Sequence, residues 1–145
     1  MFLLLRTISS YTNADLLLGV FSTEENAQLI KQQYINRIKA DPKSDRWRDQ
    51  GYRPDFDLEE DLYIVPSSEI EAQIDDLNPE LVYVVSRMKE AYGQVDRELI
   101  GLYQNKTQAD LQVNLIDNDP EPTFPQYSLV EQVKVGQLLP DDIQF

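Results

Sequence analysis

The sequence predicts an α+β fold of two tandem β-β-α-β repeats, a mostly antiparallel sheet with its helices on one face. Three observations lead to this prediction: strand-like apolar segments recur in both halves, turn residues follow them, and amphipathic helical segments come next. The first repeat covers residues 1–66 and contains an insertion at 41–60. A short helical linker covers 67–80, and the second repeat covers 81–145. We expect one compact body.

Each predicted repeat opens with a β-hairpin and closes with a single strand. Turns at residues 12–15 and 92–94 carry the Asn, Asp and Gly that tight turns prefer, and the second hairpin strands end at Gly19 and Gly101. The remaining strands, rich in β-branched and aromatic residues, are predicted at 2–9, 81–88, 61–65 and 127–135.

A helix is predicted after each hairpin because a capping residue precedes an apolar stripe. Ser22 with Glu25 forms a capping box in the first repeat, and Asn105 with Gln108 forms its analogue in the second. The two stripes recur at helical spacing and comprise Ala27, Ile30, Tyr34 and Ile38 in the first helix and Ala109, Val113 and Ile116 in the second.

Two features of the arrangement depend on more than local pattern. Residues 68–71 are expected to cap a short linker helix that reaches Leu77, before Asn78 and Pro79 break the chain. Edge pairing decides whether the halves share one continuous sheet or form two small sheets back to back, and the sequence leaves both open.

The two hairpins end in a shared signature. Leu18-Gly19-Val20-Phe21 in the first repeat corresponds to Ile100-Gly101-Leu102-Tyr103 in the second. This signature resembles small bacterial and phage domains of unknown function. The resemblance implies a small α+β module without an assigned activity, and it implies no catalytic residues.

Composition limits the chemistry available to the chain. It has 26 acidic and 13 basic residues and a net charge of −13, which disfavours nucleic acid and anionic membranes and favours cationic partners. Cysteine and histidine are both absent, so disulfides, thiolate metal sites and histidine acid–base catalysis are excluded. Because residues 1–7 do not resemble a signal peptide, we expect a cytoplasmic location.

No cofactor, metal site or catalytic residue is predicted. The chain contains no phosphate-binding Gly-rich loop and no nucleophile elbow. The densest carboxylate cluster consists of Asp55, Asp57, Glu59, Glu60 and Asp61, but it lacks the turn glycine of a calcium-binding loop and is interpreted as a solvated surface. Residues 117–122 form a second acidic stretch, which two prolines identify as a loop.

The insertion is the leading candidate for a binding site. It contains the only tryptophan of the chain and a group of arginines, a composition typical of interaction hot spots. The candidate binding residues are Arg46, Trp47, Arg48, Tyr52 and Arg53. The alternative is structural: the aromatic residues pack on the core and the arginines pair with nearby carboxylates. Tyrosines in the strands are likewise expected to pack across strands, at Tyr63, Tyr83, Tyr103 and Tyr127.

Three functional hypotheses follow. The leading one is a non-enzymatic module that contacts another protein, or a second copy as a homodimer, through a sheet edge or residues 41–56. The second is an acidic inhibitor or immunity-type protein whose carboxylates mimic nucleic acid. The third is a small anionic-ligand sensor or a carboxylate-based enzyme with a pocket between the repeats.

Overall fold

The computed structural model describes residues 1–7, 14–40, 58–120 and 124–140, and it describes residues 58 and 59 by their backbone alone. The strands are β1 (Phe2–Arg6), β2 (Leu16–Phe21), β3 (Leu62–Pro66), β4 (Glu71–Gln73), β5 (Leu81–Ala91), β6 (Gln94–Tyr103) and β7 (Gln126–Lys134). The helices are α1 (Glu24–Ala40), α2 (Leu58–Asp61) and α3 (Lys106–Asp117), and Ser67–Glu69 forms one 3₁₀ turn. This content confirms an α+β fold.

The strands form two sheets. Sheet A has the order β2-β1-β3 and is antiparallel throughout. Sheet B has the order β4-β6-β5-β7, and it is mixed because β4 runs parallel to β6 while the other pairs are antiparallel. Most strand pairs are therefore antiparallel, as predicted. Of the two arrangements that the sequence left open, the structure has separate sheets.

The two sheets face each other across a shared apolar core. This core consists of buried side chains from both sheets, namely Leu3, Leu5, Leu17, Val20, Val82, Val84, Leu102 and Val133. Because side chains alternate along a strand, Leu4 points the opposite way and packs with α1 on the outer face of sheet A. Val85 likewise packs with α3 on the outer face of sheet B.

The two long helices do not gather on one face, as predicted, but lie on opposite sides of the paired sheets. Each sheet is apolar on both faces, and each needs a cover on the side away from the other sheet. Helix α1 covers sheet A and buries Ala27, Tyr34, Ile35 and Ile38, while α3 covers sheet B. The predicted apolar stripes are thus buried, but on opposite sides of the paired sheets.

The linker also differs from its prediction. Instead of a helix reaching Leu77, the chain makes only the 3₁₀ turn and then enters β4. Ile70 precedes β4 and Ile74 follows it, and both side chains are partly buried against the core between the sheets. Pairing with β6 satisfies backbone groups of this segment that a helix would otherwise have to satisfy internally.

Each hairpin contains one extra residue at the signature glycine. Leu4 lies opposite Gly19 and Leu5 lies opposite Leu17, so Leu18 is the extra residue in β2. In sheet B the same shift occurs at Gly101, where Val85 and Ser86 lie opposite Gly101 and Leu99. Both second strands continue past the glycine, where they were predicted to end, to the aromatic residues Phe21 and Tyr103.

The segment after each closing strand crosses to the other sheet. After β3, β4 joins the edge of β6. After β7, the backbone N–H of Gly136 donates to the carbonyl of Val20 at 2.8 Å, and that of Leu139 donates to the carbonyl of Leu18 at 2.7 Å. These crossings cover the edges of β6 and β2.

None of the helices in the described ranges has the length and apolar character needed to cross a membrane.

Candidate functional site

The candidate residues predicted from the sequence lie outside the described part of the chain. Arg46, Trp47, Arg48, Tyr52 and Arg53 all fall in residues 41–57, and so do the first two carboxylates of the acidic cluster. Across the residues that the structure does describe, no group of carboxylates is arranged to hold a metal ion.

A strongly charged surface within the described residues is the segment 69–80, here called the acidic edge. It carries five carboxylates and no basic residue, and every one of these side chains is exposed: Glu69, Glu71, Asp75, Asp76 and Glu80. Leu77 lies in the same segment and is 97% exposed. An exposed leucine in an acidic segment combines an apolar anchor with nearby negative charge.

Gln104 holds the loop of the acidic edge in place. Its side-chain carbonyl accepts hydrogen bonds from the backbone N–H groups of Asp75, at 3.0 Å, and Asp76, at 3.1 Å. Its amide nitrogen donates to the Asp76 carboxylate, and its own backbone N–H donates to the carbonyl of Gln73 at 3.1 Å. Both ends of one side chain thus bind the loop, which orders it before any partner arrives.

A buried tyrosine supports the strand of the acidic edge. The ring of Tyr103 is fully buried beneath α3, and its hydroxyl donates to the Glu71 carboxylate at 3.3 Å. Burial, together with the nearby negative charge of Glu71, raises the pKa of Tyr103 to about 12. The phenol therefore remains protonated near neutral pH and keeps donating to Glu71.

An open cleft of about 480 Å³ lies beside the acidic edge, at the start of α3. Its lining combines the loop with the ends of β5 and β6 and comprises Asp75, Asp76, Leu81, Tyr83, Gln104, Asn105 and Lys106. Asn105 caps α3, because its side chain accepts from the Thr107 N–H at 2.8 Å. The cleft thus continues the acidic edge, and Lys106 is the single basic residue in its lining.

A second polar cluster lies at the junction of the two sheets. Arg97 of β6 is only 5% exposed at its side chain and contacts Glu131 at 2.5 Å. It also donates to the Ser86 hydroxyl at 3.0 Å and to the backbone carbonyl of Asp15, next to sheet A, at 2.8 Å. The Asp15 carboxylate accepts from the Tyr63 hydroxyl at 2.5 Å. Each of these contacts is satisfied within the protein, which identifies the cluster as a connection between the sheets.

The same cluster changes the ionisation of Tyr63. Burial and the hydrogen bond to Asp15 raise its pKa well above the usual range, and the positive charge of Arg97 opposes the shift. Tyr63 thus acts as a constant hydrogen-bond donor. In sheet B, Tyr83 lies directly opposite Tyr103 across β5 and β6, in the cross-strand arrangement expected for the tyrosines.

Sequence reasoning missed the acidic edge because the segment was assigned to a linker helix. The signal was nevertheless present: a stretch of 12 residues with five carboxylates and no basic residue, in a chain with 13 basic residues. Comparisons of the chain with protein-family models, curated proteins and solved structures find no match.

Proposed function

We propose that this chain is a non-enzymatic protein-interaction module whose acidic edge binds a protein with a basic surface. The observation that carries the proposal is a segment of 12 residues that exposes five carboxylates and Leu77 and contains no basic residue. Lys and Arg side chains on a partner would pair with the carboxylates, while an apolar recess would receive Leu77.

The ordering of the loop supports this proposal. A binding loop that is already held in one conformation loses less conformational entropy when a partner arrives. Gln104 provides this hold through its bonds to Asp75 and Asp76. The net charge of −13 adds long-range attraction for a basic protein and repels competing nucleic acid.

The experiment compares two variants that change charge equally. The edge variant carries Asp75→Asn, Leu77→Ser and Glu80→Gln, and the control carries Glu24→Gln, Glu25→Gln and Leu29→Ser on α1. All six residues are exposed. Each immobilised protein is used to capture proteins from a cell extract, and the captured proteins are identified by mass spectrometry.

We expect the wild type and the control variant to capture the same basic proteins, and the edge variant to lose them. Binding should weaken as salt rises, because screening reduces the attraction between opposite charges. Equal capture by the edge and control variants, with both folded by circular dichroism, would contradict the proposal.

A nucleic-acid mimic is a narrower version of the same function. The density of carboxylates along residues 69–80 favours it, because a regular array of negative charge is what a basic nucleic-acid-binding cleft recognises. In that case, double-stranded DNA added during capture should displace the partner from the acidic edge. A partner that stays bound in excess DNA would contradict the mimic and leave only the general interaction module.

The ligand-sensor and enzyme hypothesis depends on residues outside the described ranges and stays a prediction, as does the cytoplasmic location.

We also propose that the two halves are tandem copies of one β-β-α-β unit, of the kind that the bacterial and phage resemblance implies. The shared position of the extra residue, before Gly19 in one hairpin and before Gly101 in the other, supports it. The matching order of strands within the sheets supports it as well. Strand β1 lies between β2 and β3, and β5 lies between β6 and β7. Strand β4 is an addition to the second unit and makes sheet B mixed.

A further inference from the structure

Strand β7 has a hydrogen-bonding edge with which no other described strand pairs. It is the outer strand of sheet B, and β5 is its one strand partner within residues 1–7, 14–40, 58–120 and 124–140. The N–H of Glu90 donates to the carbonyl of Pro125, and the N–H of Val135 donates to the carbonyl of Glu80. Because bonded and non-bonded pairs alternate along an antiparallel ladder, the odd-numbered residues of β7 bond to β5. The backbone groups of its even-numbered residues therefore point away from the sheet.

Some of these outward groups are already occupied. The N–H of Ser128 donates to the Asp117 carboxylate at 3.3 Å, and the carbonyl of Lys134 accepts from the Gln137 N–H at 3.3 Å. Within the part of the chain that the structure describes, the N–H and carbonyl groups of Val130 and Gln132 have no such partner, and both residues are exposed. A pairing-competent stretch thus remains at the centre of the strand.

We infer that a second copy of this chain pairs with β7 antiparallel, about a two-fold axis at Glu131. In this register Val130 of each copy exchanges both backbone hydrogen bonds with Gln132 of the other. The pairing ends before Ser128, because the Asp117 carboxylate occupies the position that the carbonyl of Lys134 of the second copy would take. The four hydrogen bonds between Val130 and Gln132 of the two copies use only groups that are unoccupied within the described residues. The dimer joins the two four-stranded sheets into one.

Charge favours β7 as the place where this acidic chain meets itself. Two copies, each with a net charge of −13, repel one another over most of their surfaces. Strand β7, with the sequence QYSLVEQVK, contains one acidic and one basic residue and has no net charge of its own, while the Asp117 and Asp119 carboxylates lie beside its first three residues. Its Glu131 is paired with Arg97 at 2.5 Å, so the two glutamates that meet at the axis are each neutralised within their own copy.

This dimer is independent of the acidic edge, because dimerisation and binding of a basic protein should respond to salt in opposite directions. Salt screens the repulsion between copies and should increase the dimer fraction, whereas it should weaken capture of a basic protein. We expect light scattering after size-exclusion chromatography to report twice the monomer mass at high protein concentration. Hydrogen exchange at Val130 and Gln132 should slow as concentration rises, while exchange at Glu131 and Val133 stays slow at every concentration.

The test variant is Val130→Glu, which places like charges diagonally across the proposed axis, and its matched control is Ala72→Glu on β4, the opposite edge of sheet B. We expect Val130→Glu to be monomeric and Ala72→Glu to remain dimeric, with both folded by circular dichroism. A monomer mass for the wild type at all concentrations and salt levels would overturn the proposal. So would a dimer that survives Val130→Glu, or protection of Val130 and Gln132 that appears only with a different protein.

Discussion

At the scale of single residues, the signature Gly-x-aromatic has a steric explanation. The ring of Phe21 lies against Gly19, and the ring of Tyr103 lies against Gly101. A Cβ atom at Gly19 would lie 2.9 Å from Cζ of Phe21, and one at Gly101 would lie 2.6 Å from Cζ of Tyr103. Glycine is therefore required because the aromatic ring two residues later occupies the space of its side chain.

Replacing Gly101 tests this explanation. We expect Gly101→Ala to destabilise the protein by about 1–3 kcal/mol, because the fully buried ring of Tyr103 must move to make room. Chemical denaturation should also show that the same change costs much less in a Tyr103→Ala background, where the ring is absent. An equal cost in both backgrounds would mean that the ring is not the obstacle.

At the scale of secondary structure, local patterns predict the type of each main element well. Both hairpins and both long helices occur where turn chemistry, β-branched residues and helical stripes indicate them. In the second hairpin, Tyr92 and Gly93 have positive φ angles of 54° and 77°, as a tight two-residue turn requires. Element boundaries are less well predicted, because pairing extends β2 and β6 beyond their glycines.

The start of α1 shows how a cap can be misassigned by one position. The sequence indicates Ser22 as the cap, but the hydroxyl of Thr23 accepts from the N–H of Asn26 at 3.1 Å. Thr23 also accepts the first helical bond, from Ala27, through its carbonyl. Ser and Thr are both preferred N-cap residues, so the presence of a capping side chain does not separate neighbouring candidates.

Thermal or chemical unfolding of two alanine variants shows whether Ser22 or Thr23 is the cap. We expect Thr23→Ala to lower the free energy of unfolding by about 1 kcal/mol, since the N–H of Asn26 loses its acceptor. Ser22→Ala should leave it within about 0.5 kcal/mol of the wild type, as an exposed position outside the cap. The reverse order of effects would restore Ser22 as the cap.

At the scale of the whole molecule, Arg97 connects the sheets where the apolar core ends. It joins β5 and β7 to the residue before β2, and Asp15 continues the connection to Tyr63 of β3. A buried charge with several partners fixes the relative position of the sheets more sharply than apolar contacts, which tolerate sliding.

Removing only one partner should be costly. We expect Arg97→Ala to destabilise the protein by about 3–5 kcal/mol, because Glu131 is left partly buried without its cation. The double variant Arg97→Met, Glu131→Leu should recover much of this loss in denaturant unfolding, since no buried charge remains unpaired. If the double variant were as unstable as the single one, the ion pair would not be the source of the effect.

The sequence by itself determined the class of fold, the order of the hairpins and long helices, and the chemistry that the chain lacks. These properties follow from local periodicity, capping residues and composition, which need no knowledge of distant contacts. Only the tertiary structure decided that Leu3 and Val82 face each other across two sheets, that residues 71–73 join β6, and that Gln104 orders the acidic edge. Each of these depends on which strand edges meet, and edge pairing joins segments far apart in the chain through backbone groups that every residue carries.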